Sequence, residues 1–104
     1  MAKVTVSGTS CQTYKVTRKV RPTQGEKVTW ENKINNSGIQ VILPPNVQNI
    51  FEPGTPAMIP IPANGKDGAK IDQNSTSGAG GTYMVLVVKD NCYARASDPE
   101  VEVK

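Results

Sequence analysis

The sequence has no histidine. That absence removes the Ser-His-Asp triad, the Cys-His dyad and every imidazole metal site. Cysteine is scarce: Cys11 and Cys92 are the two present, and they suit either an oxidising compartment or a pair of ordinary buried thiols. Long apolar runs are missing. The longest, Met84 to Val88, is far short of the ~18 residues of a membrane span, so no membrane insertion is expected. No charged-then-apolar leader opens the chain. The location is therefore open: cytoplasmic if Met1 is native, periplasmic or secreted if a leader was removed. Nor does any stretch of ten or more residues combine helical periodicity with caps.

Excess charge is small as well. Twelve Lys and Arg against nine Asp and Glu leave a net charge of +3. The basic residues gather locally only at Lys15, Arg18, Lys19 and Arg21, where Tyr14 is the sole aromatic neighbour. On one strand Lys15 and Lys19 would share a face, with Arg18 opposite. Binding of nucleic acid needs a denser basic face interleaved with stacking rings, so no nucleic-acid partner is expected.

What is present is alternation. Val4 and Val6 alternate with Lys3 and Thr5; Tyr14, Val16 and Val20 with Lys15, Thr17 and Lys19; Val28 and Trp30 with Lys27, Thr29 and Glu31. Ile39, Val41 and Leu43 form the apolar side of a further run, and Val101 and Val103 alternate with Glu100, Glu102 and Lys104. Each reads as a strand with one face in a core and the other in water. Tyr83 to Val88 is apolar on both faces and reads as the most central strand, its second face covered by a loop. Ser7-Gly8, Gln24-Gly25, Asn35 to Gly38 and Asp90-Asn91 mark turns between the runs.

Residues 44–80 hold six of the eight prolines. A structureless loop of that length is out of place in a compact domain. Met58-Ile59-Pro60-Ile61 and Ala69-Lys70-Ile71 are expected as short strands within it, the first at a sheet edge because of its proline. A chain of 104 residues is one domain, residues 1–104. Seven or eight strands in that length predict an all-β, two-sheet Greek-key β-sandwich.

Two segments carry a family resemblance. Gly25-Glu26-Lys27-Val28-Thr29-Trp30-Glu31-Asn32 is similar to the G-x-x-V-x-W-x-N strand of the cupredoxins. Gly81-Thr82-Tyr83, the apolar strand after it, a loop and Val101-Glu102-Val103 are similar to their G-x-Y strand, ligand loop and closing strand. The resemblance implies a cupredoxin-like sandwich, with an immunoglobulin-like one as the alternative, and extends in general look to short bacterial proteins of unassigned function. The copper ligands do not follow. The family's ligand places fall at Ile39, Val87, Asp90 and near Arg95, and type 1 copper needs two His and a Cys thiolate. A sandwich without cofactor or metal is expected.

The resemblance also implies that the loop after Val6 and the loop after Val88 emerge at one pole. Cys11 lies in the first and Cys92 in the second, so a disulfide between them is expected in an oxidising compartment; two free thiols remain the alternative in a reducing one. Such a bond would tie down the loop carrying Asn91, Tyr93 and Arg95, the candidate partner-contact loop.

Other candidates give less. Asp72-Gln73-Asn74 opens like a calcium loop, but its sixth and twelfth places hold Ser77 and Tyr83 instead of Gly and Glu. Ser77 to Gly81 is glycine-rich without a following Gly-Lys-Ser/Thr. Glu26, Glu31, Asp98 and Glu100 are scattered, with no pair marked for acid-base work. Trp30 is expected in the core, and Met58 and Met84 as core filler. The chain therefore reads as a non-enzymatic module that binds a protein or belongs to an assembly, its function carried on loops. The alternative, from another class, is an atypical copper or redox protein using Cys11, Cys92 and one of Met1, Met58 or Met84 as soft sulfur ligands.

Overall fold

A computed structural model describes residues 2–94 and 99–104. Strands β1 (Ala2–Ser7), β2 (Lys15–Val16), β3 (Lys19–Val20), β4 (Lys27–Asn32) and β5 (Ile39–Ile42) precede a single helical turn, α1 (Pro45–Gln48). Then come β6 (Met58–Ile61), β7 (Lys66–Lys70), β8 (Gly80–Thr82), β9 (Met84–Val87), β10 (Cys92–Tyr93) and β11 (Glu100–Glu102). The protein is all-β, with several sheets in an arrangement compatible with a β-sandwich. One four-stranded sheet runs β2-β1-β4-β7, another β10-β9-β5-β6, and a three-stranded sheet runs β3-β11-β8.

The period-2 patterns decide which side chains go inside. Val4 and Val6 of β1, Val28 and Trp30 of β4, Ile39 and Val41 of β5, and Val85 and Val87 of β9 are all buried. β1 and β4 pair in parallel from Ala2↔Val28 to Val6↔Asn32, so their inward residues fall in the same rows. Trp30 sits at the centre of the core. Its ring meets Tyr83 edge-on at 6.0 Å and Phe51 at 5.9 Å, and Nε1 donates to the Tyr83 hydroxyl at 3.1 Å. Buried indoles find such partners because an unpaired N–H in an apolar core is costly.

The strand count differs from expectation: the described residues form eleven strands in three sheets, where seven or eight in two were predicted. Two apolar runs each break and change partner. The run from 15 to 20 pairs with β1 as β2, then with β11 as β3. Thr17 makes the corner: Thr5 N donates to its Oγ1 at 2.9 Å, and Thr17 N donates to the Thr5 carbonyl at 3.1 Å. The run from 80 to 87 pairs with β11 as β8 and with β5 as β9. Strands that switch sheets at such corners join the layers of a sandwich. Gly80 makes the second switch feasible. Its φ is +132°, and a Cβ there would stand 2.1 Å from the Val101 carbonyl oxygen.

The same break corrects the basic cluster. Lys15 and Lys19 do not share a face, because they lie on strands of different sheets. Lys19 Nζ is 3.1 Å from Glu102 and 3.5 Å from Glu100, and Arg21 Nε is 3.5 Å from Glu102. Much of the cluster's charge is thus answered locally.

Residues 44–80 are not a cover laid over the sandwich. Val47, Ile50, Phe51, Ile59, Ile61 and Ile71 from this segment are buried in the common core. Pro44 and Pro45 start α1, where a missing N–H costs nothing, and Phe51 bridges to Ile71. β6 occupies a sheet edge, where Pro60 deprives the ladder of no inner hydrogen bond.

Candidate binding face

The central-strand reading of Tyr83 to Val88 holds only in part. β9 lies between β10 and β5, but among the described residues its second face is largely open: Met84 is 45% and Val88 49% exposed, with Leu86 half-buried between them. Met58 at 47% and Tyr93 at 49% complete the large hydrophobic side chains exposed among the described residues. The two methionines are therefore not core filler. Alternation puts Val85, Val87, Ile59 and Ile61 inside, and Met84, Met58 and Pro60 must then point out.

The registers assemble these residues into rows. Ile42 is opposite Met58 on one side and Met84 on the other. In the next row Gln40 stands between Pro60 and Leu86, and Tyr93 follows across from Leu86. Val88 lies beyond, its N–H donating to the Gly38 carbonyl at 3.1 Å. A shallow depression of about 410 Å³ runs along that end between Val88, Gln40, Pro60 and Pro62. No outward residue of these four strands carries a charge, and Gln40 is the one amide among them.

The outward side of the other four-stranded sheet is the opposite in character. Lys3, Lys27, Lys66 and Lys70 lie on it, and Glu31 stands opposite Lys66 with its Oε1 3.0 Å from Lys3 Nζ and 3.9 Å from Lys33 Nζ. The hydrogen bond from Lys3 holds the Glu31 carboxyl below its ordinary range, against the opposing effect of desolvation.

Two links fix the edge of the apolar face. Cys11 and Cys92 are joined by a disulfide, with Cα atoms 6.0 Å apart. The buried Tyr14 donates its hydroxyl to Asp90 Oδ2 at 2.5 Å, and this bond raises the Tyr14 pKa. Both links run from the β1–β2 connection to the turn before β10. They hold Tyr93 against the sheet, in a short strand and not in the loop expected for it. Asn91 is at the tip of that turn with φ +49°, a conformation asparagine tolerates well, so backbone geometry is reason enough for it. Of the two candidate contact residues that are described, Tyr93 joins the face and Asn91 does not. Arg95 lies outside the described residues, as do Met1 and Asp98.

One buried polar residue figured in the sequence only as the last position of the G-x-x-V-x-W-x-N match, with no role attached. Asn32 is on the inward phase of β4, in step with Val28 and Trp30. Its Nδ2 donates to the Ser37 and Pro62 carbonyls at 2.9 and 3.1 Å, and its Oδ1 accepts from Ile34 N at 3.0 Å. It ties the β4–β5 turn to the end of β6, beside the depression. A polar residue in phase with buried ones was the signal available.

Among the described residues no three of Cys, Asp and Glu come together as a metal site. The cysteine sulfurs are bonded to each other, and Met58 and Met84 lie on the open face on either side of Ile42. Fold and surface together define a class: a small all-β domain with one lysine-rich sheet face and one apolar, uncharged one. No protein-family model, curated protein or solved structure matches the chain.

Proposed function

We propose that this chain is a non-enzymatic, cupredoxin-like binding module that holds another protein against the outward face of β5, β6, β9 and β10. One observation carries the reading: every exposed large hydrophobic side chain of the described residues falls on this single uncharged face. Apolar patches gathered in this way mark interaction sites, whereas scattered ones need no explanation. Met and Tyr are also favoured at the cores of interfaces.

The pairings agree with the cupredoxin-like topology. With β2 and β3 taken as one interrupted run, the ladders from β1 through β2, β3 and β11 to β8 give β1 and β8 the same direction. The loops following the two runs meet at the Cys11–Cys92 bond.

A photo-reactive phenylalanine analogue at Met84 tests the binding role. Irradiated in extract of the source cells, it is expected to give one discrete adduct, lost when Leu86→Lys is added. An adduct pattern no different from that of the same probe at Lys66, on the opposite sheet, would refute the proposal.

A further inference from the structure

Resting on that reading of the face, we infer that its occupant is a second copy of this chain, in a twofold, face-to-face dimer. The chemistry of the face selects such a partner. An acidic protein or a polyanion would be drawn to Lys3, Lys27, Lys66 and Lys70 on the other sheet, and a charged partner finds nothing to pair with here. A second copy brings the same uncharged surface, rows of Met, Ile, Leu and Tyr against rows of the same. Sheets pack in this way inside sandwiches, about 10 Å apart and rotated by about 30°.

The placement of charge agrees. The net charge of +3 must be kept away from its own copy. Pairing through the apolar faces leaves both lysine faces outside, separated by three sheet spacings of about 10 Å. That distance exceeds the ~8 Å screening length at physiological salt, so the two like charges scarcely interact.

The edges of this sheet do not extend the assembly. β6 forms one edge and carries Pro60, which has no N–H to offer a neighbouring strand. β10 forms the other edge; it is two residues long and tied by Cys92 to Cys11. Growth by strand addition is blocked at both edges of this sheet, and the isologous face-to-face contact is closed by its own symmetry. Four strands about 4.8 Å apart and at most four residues long, each turning one or two side chains outward, give a face of roughly 250 Å². A standard interface buries about 800 Å² on each partner, so this dimer is reversible and needs the surrounding turns at its rim.

Sedimentation equilibrium of the full chain from about 10 µM to about 1 mM reads the association directly. The expected result is a mass rising from 11.2 kDa toward twice that value as concentration increases. Leu86→Lys, at the centre of the face, is expected to weaken association at least about tenfold by setting two ammonium groups against each other in the contact. Lys66→Glu, on the other sheet, leaves it unchanged. Emission of the single tryptophan checks that each variant is folded, and Tyr93→Lys at the rim replaces Leu86→Lys if the latter does not fold. A monomer throughout, or a dimer indifferent to both face variants, overturns the inference. A monomer that still gives a discrete Met84 adduct with a different polypeptide overturns the second copy alone; a monomer without an adduct removes the binding role as well.

Discussion

Tyr83→Phe deletes one oxygen atom from the middle of the core. That oxygen accepts the hydrogen bond from Trp30 Nε1 at 3.1 Å, and both rings are buried. The ring itself stays, and with it the edge-on contact at 6.0 Å. What is lost is the acceptor, and a buried N–H left unpaired costs about 1–3 kcal/mol. The phenol has a second signature. Burial pushes its pKa up to about 12, against about 10 in an unfolded chain. Between those values the folded protein keeps a proton that the unfolded chain has released. The native state then binds more protons, so this contribution is fully present below about pH 10 and is lost as pH rises, at about 1.4 kcal/mol per pH unit. Phenylalanine has no such proton. The variant is therefore less stable at neutral pH and loses stability less steeply in alkali. Tyr14, raised by its bond to Asp90, and Lys19, raised by Glu102 and Glu100, are the same in both proteins and cancel in the difference. Urea unfolding followed by Trp30 emission, repeated from neutral to strongly alkaline pH, measures both effects. Equal stabilities at neutral pH, or parallel curves through the alkaline range, would refute the buried pair.

Replacing Cys11 and Cys92 together by Ser opens a link across 81 positions, and the chain-entropy model gives a loss of about 4–5 kcal/mol. For a domain of this size that is a fall in Tm of about 20 °C by calorimetry; a loss under about 1 kcal/mol would show that the link does little to restrict the unfolded chain. Asn32→Asp removes both donors to the Ser37 and Pro62 carbonyls and sets a carboxylate among them. Denaturant unfolding at neutral pH should show a loss of about 3–5 kcal/mol, whereas a change under about 1 kcal/mol would mean that the turn holds without Asn32. Added Cu(II) is expected to give no intense blue absorption, since a chain without histidine lacks the His₂Cys set; a blue colour on titration would overturn the resemblance-based placing of the ligands.

The inward residues were legible wherever one side of a strand was polar. Lys3 and Thr5 mark out Val4 and Val6, and Glu31 marks out Trp30. Alternation cannot speak where both sides are apolar. Met84, Leu86 and Val88 read as a covered second face because apolar side chains suggest burial, yet Met84 and Val88 stand about half exposed. The breaks at Thr17 and Tyr83 were hidden for a related reason. Each run keeps its apolar phase through the corner while its hydrogen-bonding partner changes, and partners belong to the ladder, not to the local pattern. The family resemblance implied that Cys11 and Cys92 come together, and the structure joins them by a disulfide. The face that Tyr93 joins was not legible, because it is assembled across four strands by register. The prolines of residues 44–80 suggested loop, and only β6 and the residues around Ile71 emerged from their apolar content. Val47, Ile50 and Phe51 enter the core from around a single helical turn, too short to leave a period in the sequence.

The bond between Cys11 and Cys92 also decides how the domain bears force. It makes a covalent ring of most of the chain, with one tail containing β1 and another containing β11. Tension applied at the two ends runs down the first tail, across the sulfurs and out along the second. β4, β5, β6, β7 and β9 lie inside the ring, off the load path. Even with β1 and β11 torn away, the tails and the bridge span roughly 80 Å, against roughly 350 Å for the whole chain fully extended. While the bond is oxidised it limits how far the chain can extend, and Met58, Met84 and Leu86 of the apolar face lie within the ring, with Tyr93 one residue outside it.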